Sequence, residues 1–234
     1  MKTIKLLLIE DDVNLGYVMK YVLEDVIGEY EVDVALNGEE GLEHMKSFAP
    51  DVIVSDIEMP VMNGYEMVKR IRQTNLDLPV ILATGKISPK NVIAGYEVGT
   101  DYYIKKPYTP EELDVQVKKL ITLKNNSNSQ VKNAALKIGE YAFYPKSFTL
   151  IYNDSEKTEL TVRESQILEI LLQNKGGIVK REDILRKFWN DKMDEYYASR
   201  SLDVFISKLR SYLSKDASIS IKNVKQVGLI LEFD

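Results

Sequence analysis

The sequence predicts an α/β doubly wound five-stranded parallel sheet, followed by a smaller α+β unit of short strands and three helices. Three observations carry this reading. Short apolar runs alternate five times with helical periods in about the first 120 residues. Acids, a hydroxyl and an amine stand at the ends of four of those runs, where ligands gather in such sheets. Beyond the polar, uncharged stretch Asn125 to Gln130, the pattern changes to short strands with turn residues between them.

Taken in order, the first strand-helix unit is Ile4 to Ile9 followed by Leu15 to Ile27, and the second is Val32 to Leu36 followed by Glu39 to Phe48. Val52 to Ser55 then reads as a strand buried on both faces, because its apolar run leaves no polar alternation. Asp56 stands where that strand stops. Met59-Pro60 blocks easy continuation as strand or helix, and Asn63-Gly64 supplies turn chemistry before the helical run Tyr65 to Gln73. Val80 to Ala83 with Pro89 to Val98, and Tyr102 to Ile104 with Glu111 to Leu123, complete the five units.

A single acid at a strand end most often begins a solvated loop. Asp56 has company. Strand one ends in Glu10-Asp11-Asp12, strand four in Thr84-Gly85 and strand five in Lys105-Lys106-Pro107. Converging carboxylates repel one another unless a cation sits among them, and oxygen ligands at this density suit Mg²⁺ better than a soft metal. A hydroxyl and an ammonium opposite them suit a phosphoryl group. Separate explanations exist: helix capping by Asp11 or Asp12, a Thr84 hydroxyl turned to its own loop, and neutralisation of Asp56 by Lys106. Together they leave the coincidence of four successive strand ends unexplained.

The totals exclude several classes. The chain of 234 residues has 44% apolar residues, enough for a buried core. It has no cysteine and one histidine, His44, so thiolate metal sites and disulfides are out. The apolar run at the amino terminus meets acids after Ile9, too short for a signal segment or membrane span, and a cytoplasmic location with no membrane partner is expected. Residues 1–124 hold 14 Lys/Arg against 21 Asp/Glu, and residues 125–234 hold 17 against 15, so nucleic acid is expected to meet the second half.

Residues 1–123 resemble the receiver domain of two-component response regulators, a flavodoxin-like fold. The resemblance rests on Ile9-Glu10-Asp11-Asp12, Ser55-Asp56-Ile57-Glu58-Met59-Pro60 with Asn63-Gly64, Ala83-Thr84-Gly85 and Tyr103-Ile104-Lys105-Lys106-Pro107. It implies that Asp56 accepts a phosphoryl group from a sensor histidine kinase, with Glu10, Asp11, Asp56 and the backbone carbonyl of Glu58 around Mg²⁺. Thr84 and Lys106 would contact the phosphoryl oxygens, and Thr84 and Tyr103 would form the switch. The physics agrees, since a carboxylate is a poor nucleophile unless positive charge stabilises the transferring group. Receivers of this kind dimerise through charge pairs, but Tyr102 replaces the second Asp and Gln116 the expected Arg. Asp101 is left without that partner, and Tyr102 is expected to offer apolar contact in a homodimer instead.

Residues 124–135 read as a flexible linker and residues 136–234 as a second domain. Turn signals at Tyr144-Pro145-Lys146 and Tyr152-Asn153-Asp154-Ser155 punctuate a small antiparallel sheet. Thr161-Val162-Arg163-Glu164 is a capping box opening a helix with Ile167, Leu168, Leu171 and Leu172 on its apolar period, which Gly176-Gly177 closes. Helices follow from about Arg181 to Trp189 and from about Ser199 to Ser214, then strands at Ile219 to Ile221 and Leu229 to Phe233. On the third helix Leu202, Phe205, Ile206, Leu209 and Leu213 share one side. Arg200, Asp203, Val204, Ser207 and Ser211 lie opposite, flanked by Lys208 and Arg210, a face of small and basic residues that allows close approach to a major groove.

This half resembles the winged helix-turn-helix DNA-binding domain of OmpR/PhoB response regulators, through Leu160-Thr161 with Glu164, Phe188-Trp189, Arg200 to Val204 with Ile206 and Leu209-Arg210, and Val227-Gly228. The resemblance implies a recognition helix using Arg200, Asp203, Val204 and Lys208 on double-stranded DNA, with Lys225 on the wing. The segment Trp189 to Ala198 would meet RNA polymerase or its sigma factor. Ser207, Phe205, Gln226 and Leu229 depart from the residues usual there. The expected function is a phosphorylation-controlled DNA-binding transcriptional regulator, not an enzyme. The alternatives are a constitutive DNA binder whose receiver is only an interaction module, and an aspartyl-phosphate phosphatase using Glu58 as its acid.

Overall fold

The computed structural model describes residues 3–85, 89–128, 135–189, 195–225 and 227–234. The chain divides into two compact units, Met1–Leu123 and Lys124–Asp234.

The first unit is a five-stranded parallel sheet built from β1 (Ile4–Ile9), β2 (Tyr30–Ala35), β3 (Val52–Asp56), β4 (Val80–Thr84) and β5 (Tyr102–Lys105), in the order β2-β1-β3-β4-β5. Each connection carries a helix: α1 (Val13–Tyr21), α2 (Gly38–Phe48), α3 (Gly64–Ile71) and α4 (Pro89–Val98), with α5 (Pro110–Asn128) after the last strand. The strand order reverses between β1 and β3, so the carboxyl ends of these two strands flank a crevice.

Local chemistry explains where the helices start and stop. Asp12 caps α1, accepting from the N–H groups of Asn14 (2.9 Å) and Leu15 (3.1 Å). After Tyr21 the hydrogen-bond ladder widens into a π-helical turn, Val22–Ile27, closed by Gly28 at φ 77°, a left-handed conformation suited to glycine. This turn serves the edge strand β2. Glu24 Oε1 accepts from the Val32 N–H (2.7 Å), and Lys20 Nζ donates to the Val32 carbonyl (2.8 Å). Side chains thereby satisfy backbone groups that an open edge would offer to another strand. On one sheet face Leu6, Leu8, Val32, Val54, Ile81 and Tyr102 pack against Met19 and Leu23 from α1 and its π turn, and against Leu113, Val117 and Leu120 of α5.

The second unit begins with a four-stranded antiparallel sheet, β6 (Leu136–Ile138), β7 (Tyr141–Tyr144), β8 (Thr149–Tyr152) and β9 (Glu156–Glu159), paired in sequence order. α6 (Val162–Gln173) opens on the expected capping box: the Thr161 N–H donates to Glu164 Oε2 (2.9 Å), and the Glu164 N–H donates to Thr161 Oγ1 (3.3 Å). β10 (Val179–Lys180), α7 (Arg181–Phe188), α8 (Glu195–Tyr212), β11 (Ser220–Val224) and β12 (Gly228–Glu232) complete it, the strands pairing as β10-β12-β11. This is a winged helix-turn-helix, with the β11–β12 hairpin as the wing.

Three expectations shift. α5 runs on to Asn128, so the beginning of the expected flexible linker is helical, while residues 129–134 lie outside the described residues. α8 begins at Glu195, four positions before the predicted Ser199. β10 adds a third strand to the wing sheet; two residues carry no readable period, and tertiary pairing with β12 alone makes them a strand.

Candidate functional site

Asp56 is the last residue of β3 and pairs in register with Ala83 of β4, which places Thr84 one residue further at the same sheet edge. Thr84 in turn is level with Lys105, and its carbonyl accepts from the Lys106 N–H (2.8 Å). The Lys106 side chain crosses to the acids. Its Nζ lies 2.6 Å from Asp56 Oδ2 and 2.7 Å from Glu10 Oε2. Glu10, Asp11 and Asp56 each present one carboxylate oxygen, all within 4.8 Å of one another. Of the three acids after strand one, two therefore face the crevice, and Asp12 alone is the helix cap. A cluster of hard oxygen donors at one sheet edge fits a divalent cation.

The backbone around Asp56 is shaped to hold it. Asp56 Oδ1 accepts from the Ile57 N–H at 2.5 Å, with the Glu58 N–H at 3.4 Å; Glu58 itself is exposed in the same loop. The Gly64 N–H donates to the Ile57 carbonyl (3.0 Å) and draws α3 against this loop. A Cβ on Gly64 would overlap the Asp56 carbonyl oxygen and stand 3.1 Å from Ile57 Cα, so only glycine permits this approach.

Burial and charge oppose each other here. Burial, chiefly, pushes the Glu10 carboxyl above its usual range, with repulsion from Asp56 and Asp11 adding to it and Lys106 opposing. Burial works against the charge of Lys106, yet its bonds to Asp56 and Glu10 outweigh that and raise its pKa. Burial near the same charges pushes the Tyr108 hydroxyl up to about 12.

Tyr103 is buried, its ring edge-on to Tyr96 at 5.0 Å between centroids. Tyr102 turns to the opposite face, into the core beside Leu113 and Val117. Asp101 is fully buried and accepts from Arg72 Nη2 (2.7 Å) and the Val80 N–H (2.9 Å).

In the second unit Leu202, Phe205, Ile206, Leu209 and Leu213 all point into the core, as the wheel predicts. Arg200, Asp203 and Ser207 are exposed and Val204 is half-buried on the opposite side of α8, and Lys225 is exposed on the wing. Three of the charges expected there have internal partners. Asp203 Oδ1 accepts from Arg181 Nη2 (2.8 Å), which also donates to the Ser199 carbonyl and hydroxyl and so ties α7 to α8. Lys208 Nζ lies 3.3 Å from Glu164 Oε1, a side chain buried to 2% exposure by the α6 cap. The Arg210 guanidinium donates twice to the Ile221 carbonyl of β11 (2.9 and 2.7 Å). Arg200 lies over the Tyr196 ring at 5.4 Å.

Two family models match the chain: response regulator receiver domain over residues 6–118, and transcriptional regulatory protein, C terminal, over residues 155–231. The transcriptional regulatory protein RprY of Bacteroides fragilis is 32% identical over 96% of this chain and 93% of its own. The alkaline phosphatase synthesis transcriptional regulatory protein PhoP of Bacillus subtilis is 30% identical over 97% of this chain and 96% of its own. The crystal structure of response regulator DrrB, a Thermotoga maritima OmpR/PhoB homolog, matches with a TM-score of 0.50 at 28% identity, covering 99% of this chain and 100% of that one. The chain belongs to the OmpR/PhoB family of response regulators. It is a phosphorylation-controlled, DNA-binding transcriptional regulator of a two-component system.

Two expectations about the receiver's dimer surface change. Tyr102 is core, so it offers no apolar contact to a second subunit. Asp101 has a partner after all, and it is Arg72 within the same receiver. The reason is tertiary: Arg72, at the end of α3, reaches back to the α4–β5 turn and also caps the carbonyls of Gly99 (2.8 Å) and Leu78 (2.7 Å). Trp189 is buried against Phe205, and Ala198 is buried within α8; residues 190–194 of the segment expected to meet RNA polymerase lie outside the described residues, as does Gln226 on the wing. One feature was not anticipated. Val13, Tyr17 and Tyr21 are exposed on α1, at i, i+4, i+8, next to the acid cluster. The spacing is legible in the sequence, but periodicity does not tell a solvent-facing apolar stripe from a buried one. Among the described residues no helix is long and apolar enough to cross a membrane.

Proposed function

We propose that Asp56 is the phosphoacceptor of this response regulator. The observation that carries the reading is the Lys106 ammonium shared between Asp56 Oδ2 and Glu10 Oε2, at a sheet edge where Asp11 is the third acid. The phosphorus–nitrogen bond of a phosphohistidine on the sensor kinase breaks as an Asp56 carboxylate oxygen bonds to phosphorus. Lys106 and the Thr84 hydroxyl then hold phosphoryl oxygens, and the charge gathered there on transfer is offset by a group already in place. Glu10, Asp11 and Asp56, with the Glu58 carbonyl, would hold Mg²⁺, which supplies positive charge between carboxylates and phosphate. The exposed apolar stripe of α1 supports kinase docking beside the acceptor.

Thr84 turning toward the phosphoryl group moves with Tyr103, and the surface made by α4, β5 and α5 changes with them. That surface is where a receiver homodimer would form, without the charge pairs that Tyr102 and Gln116 have removed. On DNA, the outward face of α8 meets the major groove through Arg200, Val204 and Ser207, with Lys225 on the wing. Asp203, Lys208 and Arg210 act first as supports, since each already has an internal partner. The segment Trp189 to Ala198 is the proposed contact for RNA polymerase.

The test compares DNA affinity and phosphoryl incorporation before and after acetyl phosphate, in the wild type and in Asp56→Asn. Incorporation with a change in affinity in the wild type alone supports the reading. Equal incorporation in Asp56→Asn would move the acceptor elsewhere.

A further inference from the structure

The hydroxyl end of Tyr103 is housed by residues outside the phosphoryl pocket. Gly95 lies inside α4, where glycine is an unfavourable helix former and needs a reason to be present. The reason is steric. A Cβ built on Gly95 would overlap the Tyr103 Oη, lie 2.5 Å from its Cζ and stand 2.8 Å from Tyr65 Cε1. The Tyr103 hydroxyl therefore occupies the space that any other residue at position 95 would fill. It is hydrogen-bonded to the Tyr65 hydroxyl on α3. Tyr96 closes the ring edge-on at 5.0 Å, and only 6% of Tyr103 remains exposed.

We propose that Gly95 and Tyr65 form a socket that holds Tyr103 inward independently of the phosphoryl site, so these two residues bias the equilibrium that phosphorylation shifts. Both are positioning residues, acting through Tyr103. The proposal rests on the reading of Tyr103 as the switch. A ligand or modification shifts a two-state equilibrium only by its differential interaction with the two states. A contact that favours the inward ring in the absence of phosphate raises basal output and shrinks the further gain on phosphorylation. One ordinary hydrogen bond is worth about fivefold in such an equilibrium.

Ring position is read by hydroxyl-radical footprinting of the Tyr103 peptide in the full-length protein, with folding checked by circular dichroism. In the untreated wild type Tyr103 is protected, and acetyl phosphate changes its oxidation by less than about twofold. Tyr65→Phe, which keeps the ring and removes the hydroxyl partner, increases Tyr103 oxidation up to about fivefold, the worth of one hydrogen bond. Gly95→Ala increases it further. The same variants are titrated with DNA: Tyr65→Phe lowers affinity without acetyl phosphate and restores most of it with acetyl phosphate, so its activation ratio exceeds that of the wild type. Untreated wild-type Tyr103 oxidised as fast as in Gly95→Ala, and protected only after acetyl phosphate, would overturn the socket. Tyr65→Phe indistinguishable from wild type in footprint would overturn the role of Tyr65. If the footprints behave as expected but DNA affinity ignores both variants and Tyr103→Ala, the socket stands and the switch reading fails.

Discussion

Replacing Arg72 by Met tests the buried pair that redefines Asp101. Met keeps the apolar stem and removes every guanidinium donor. Four bonds disappear: to Asp101 Oδ2 (2.7 Å), and to the carbonyls of Gly99 (2.8 Å), Leu78 (2.7 Å) and Asn75 (3.1 Å). Asp101, whose side chain has no exposed surface, keeps the Val80 N–H (2.9 Å) but loses its counter-charge. Breaking a buried pair from one side costs about 3–5 kcal/mol, a large part of a domain's total of roughly 5–15 kcal/mol. With a urea slope of about 2 kcal/mol per molar, the receiver's midpoint falls by about 2 M. Urea titration separates the two units, because the chain's one tryptophan, Trp189, lies in the second. The circular dichroism transition moves to lower urea and splits, while the tryptophan transition stays. Arg72→Met combined with Asp101→Asn loses less than the sum of the single changes, since the uncompensated charge is gone. A midpoint shift below about 0.5 M, or an equal shift in the tryptophan signal, refutes the reasoning.

Three further outcomes follow from the same geometry. Glu10 holds its proton more tightly folded than unfolded, so its effect on stability worsens as pH rises from the unfolded value through the raised one. Glu10→Gln, which keeps an acceptor for Lys106, therefore stabilises the receiver at pH 7 by more than at pH 4.5, as measured by urea titration at both values; a gain independent of pH contradicts this. Lys208→Ala lowers the urea midpoint of the Trp189 transition, because Glu164 loses its ammonium, and changes DNA affinity by less than about threefold in filter binding or anisotropy; a loss of about tenfold or more confined to the cognate sequence would instead place the ammonium on a base edge. Gly64→Ala sets a methyl against the Asp56 carbonyl and Ile57 Cα, backbone atoms that cannot yield. It destabilises the receiver by about 1–3 kcal/mol and slows phosphoryl incorporation from acetyl phosphate; unchanged incorporation shows that the loop tolerates the shift.

The acid cluster, Asp56, Thr84 and Lys106 were legible because a parallel sheet sends every strand end to one edge, so residues far apart in sequence become neighbours by topology alone. The core face of α8 was equally plain, since Leu202, Phe205, Ile206, Leu209 and Leu213 obey a helical period that reports burial directly. The faces of Tyr102 and Tyr103 were less so: alternation requires that the two rings oppose each other, but which one meets α5 depends on how β5 pairs with β4.

By itself, then, the sequence determined the two units, the five strand-helix repeats of the first, the helices of the second and the residues at the acidic sheet edge, because periodicity and short motifs are local and are read along the chain. Tertiary structure alone decided the partners of the charges. Asp101 meets Arg72, Lys208 meets Glu164 and Arg210 meets the backbone of Ile221, across 29, 44 and 11 positions of sequence. Long cationic side chains reach any acceptor within several ångströms, so the same residue serves DNA or its own fold according to which helix packs beside it. The socket around Tyr103 is the same case: a glycine in a helix and a tyrosine on another acquire a joint purpose only when α3 and α4 close on β5.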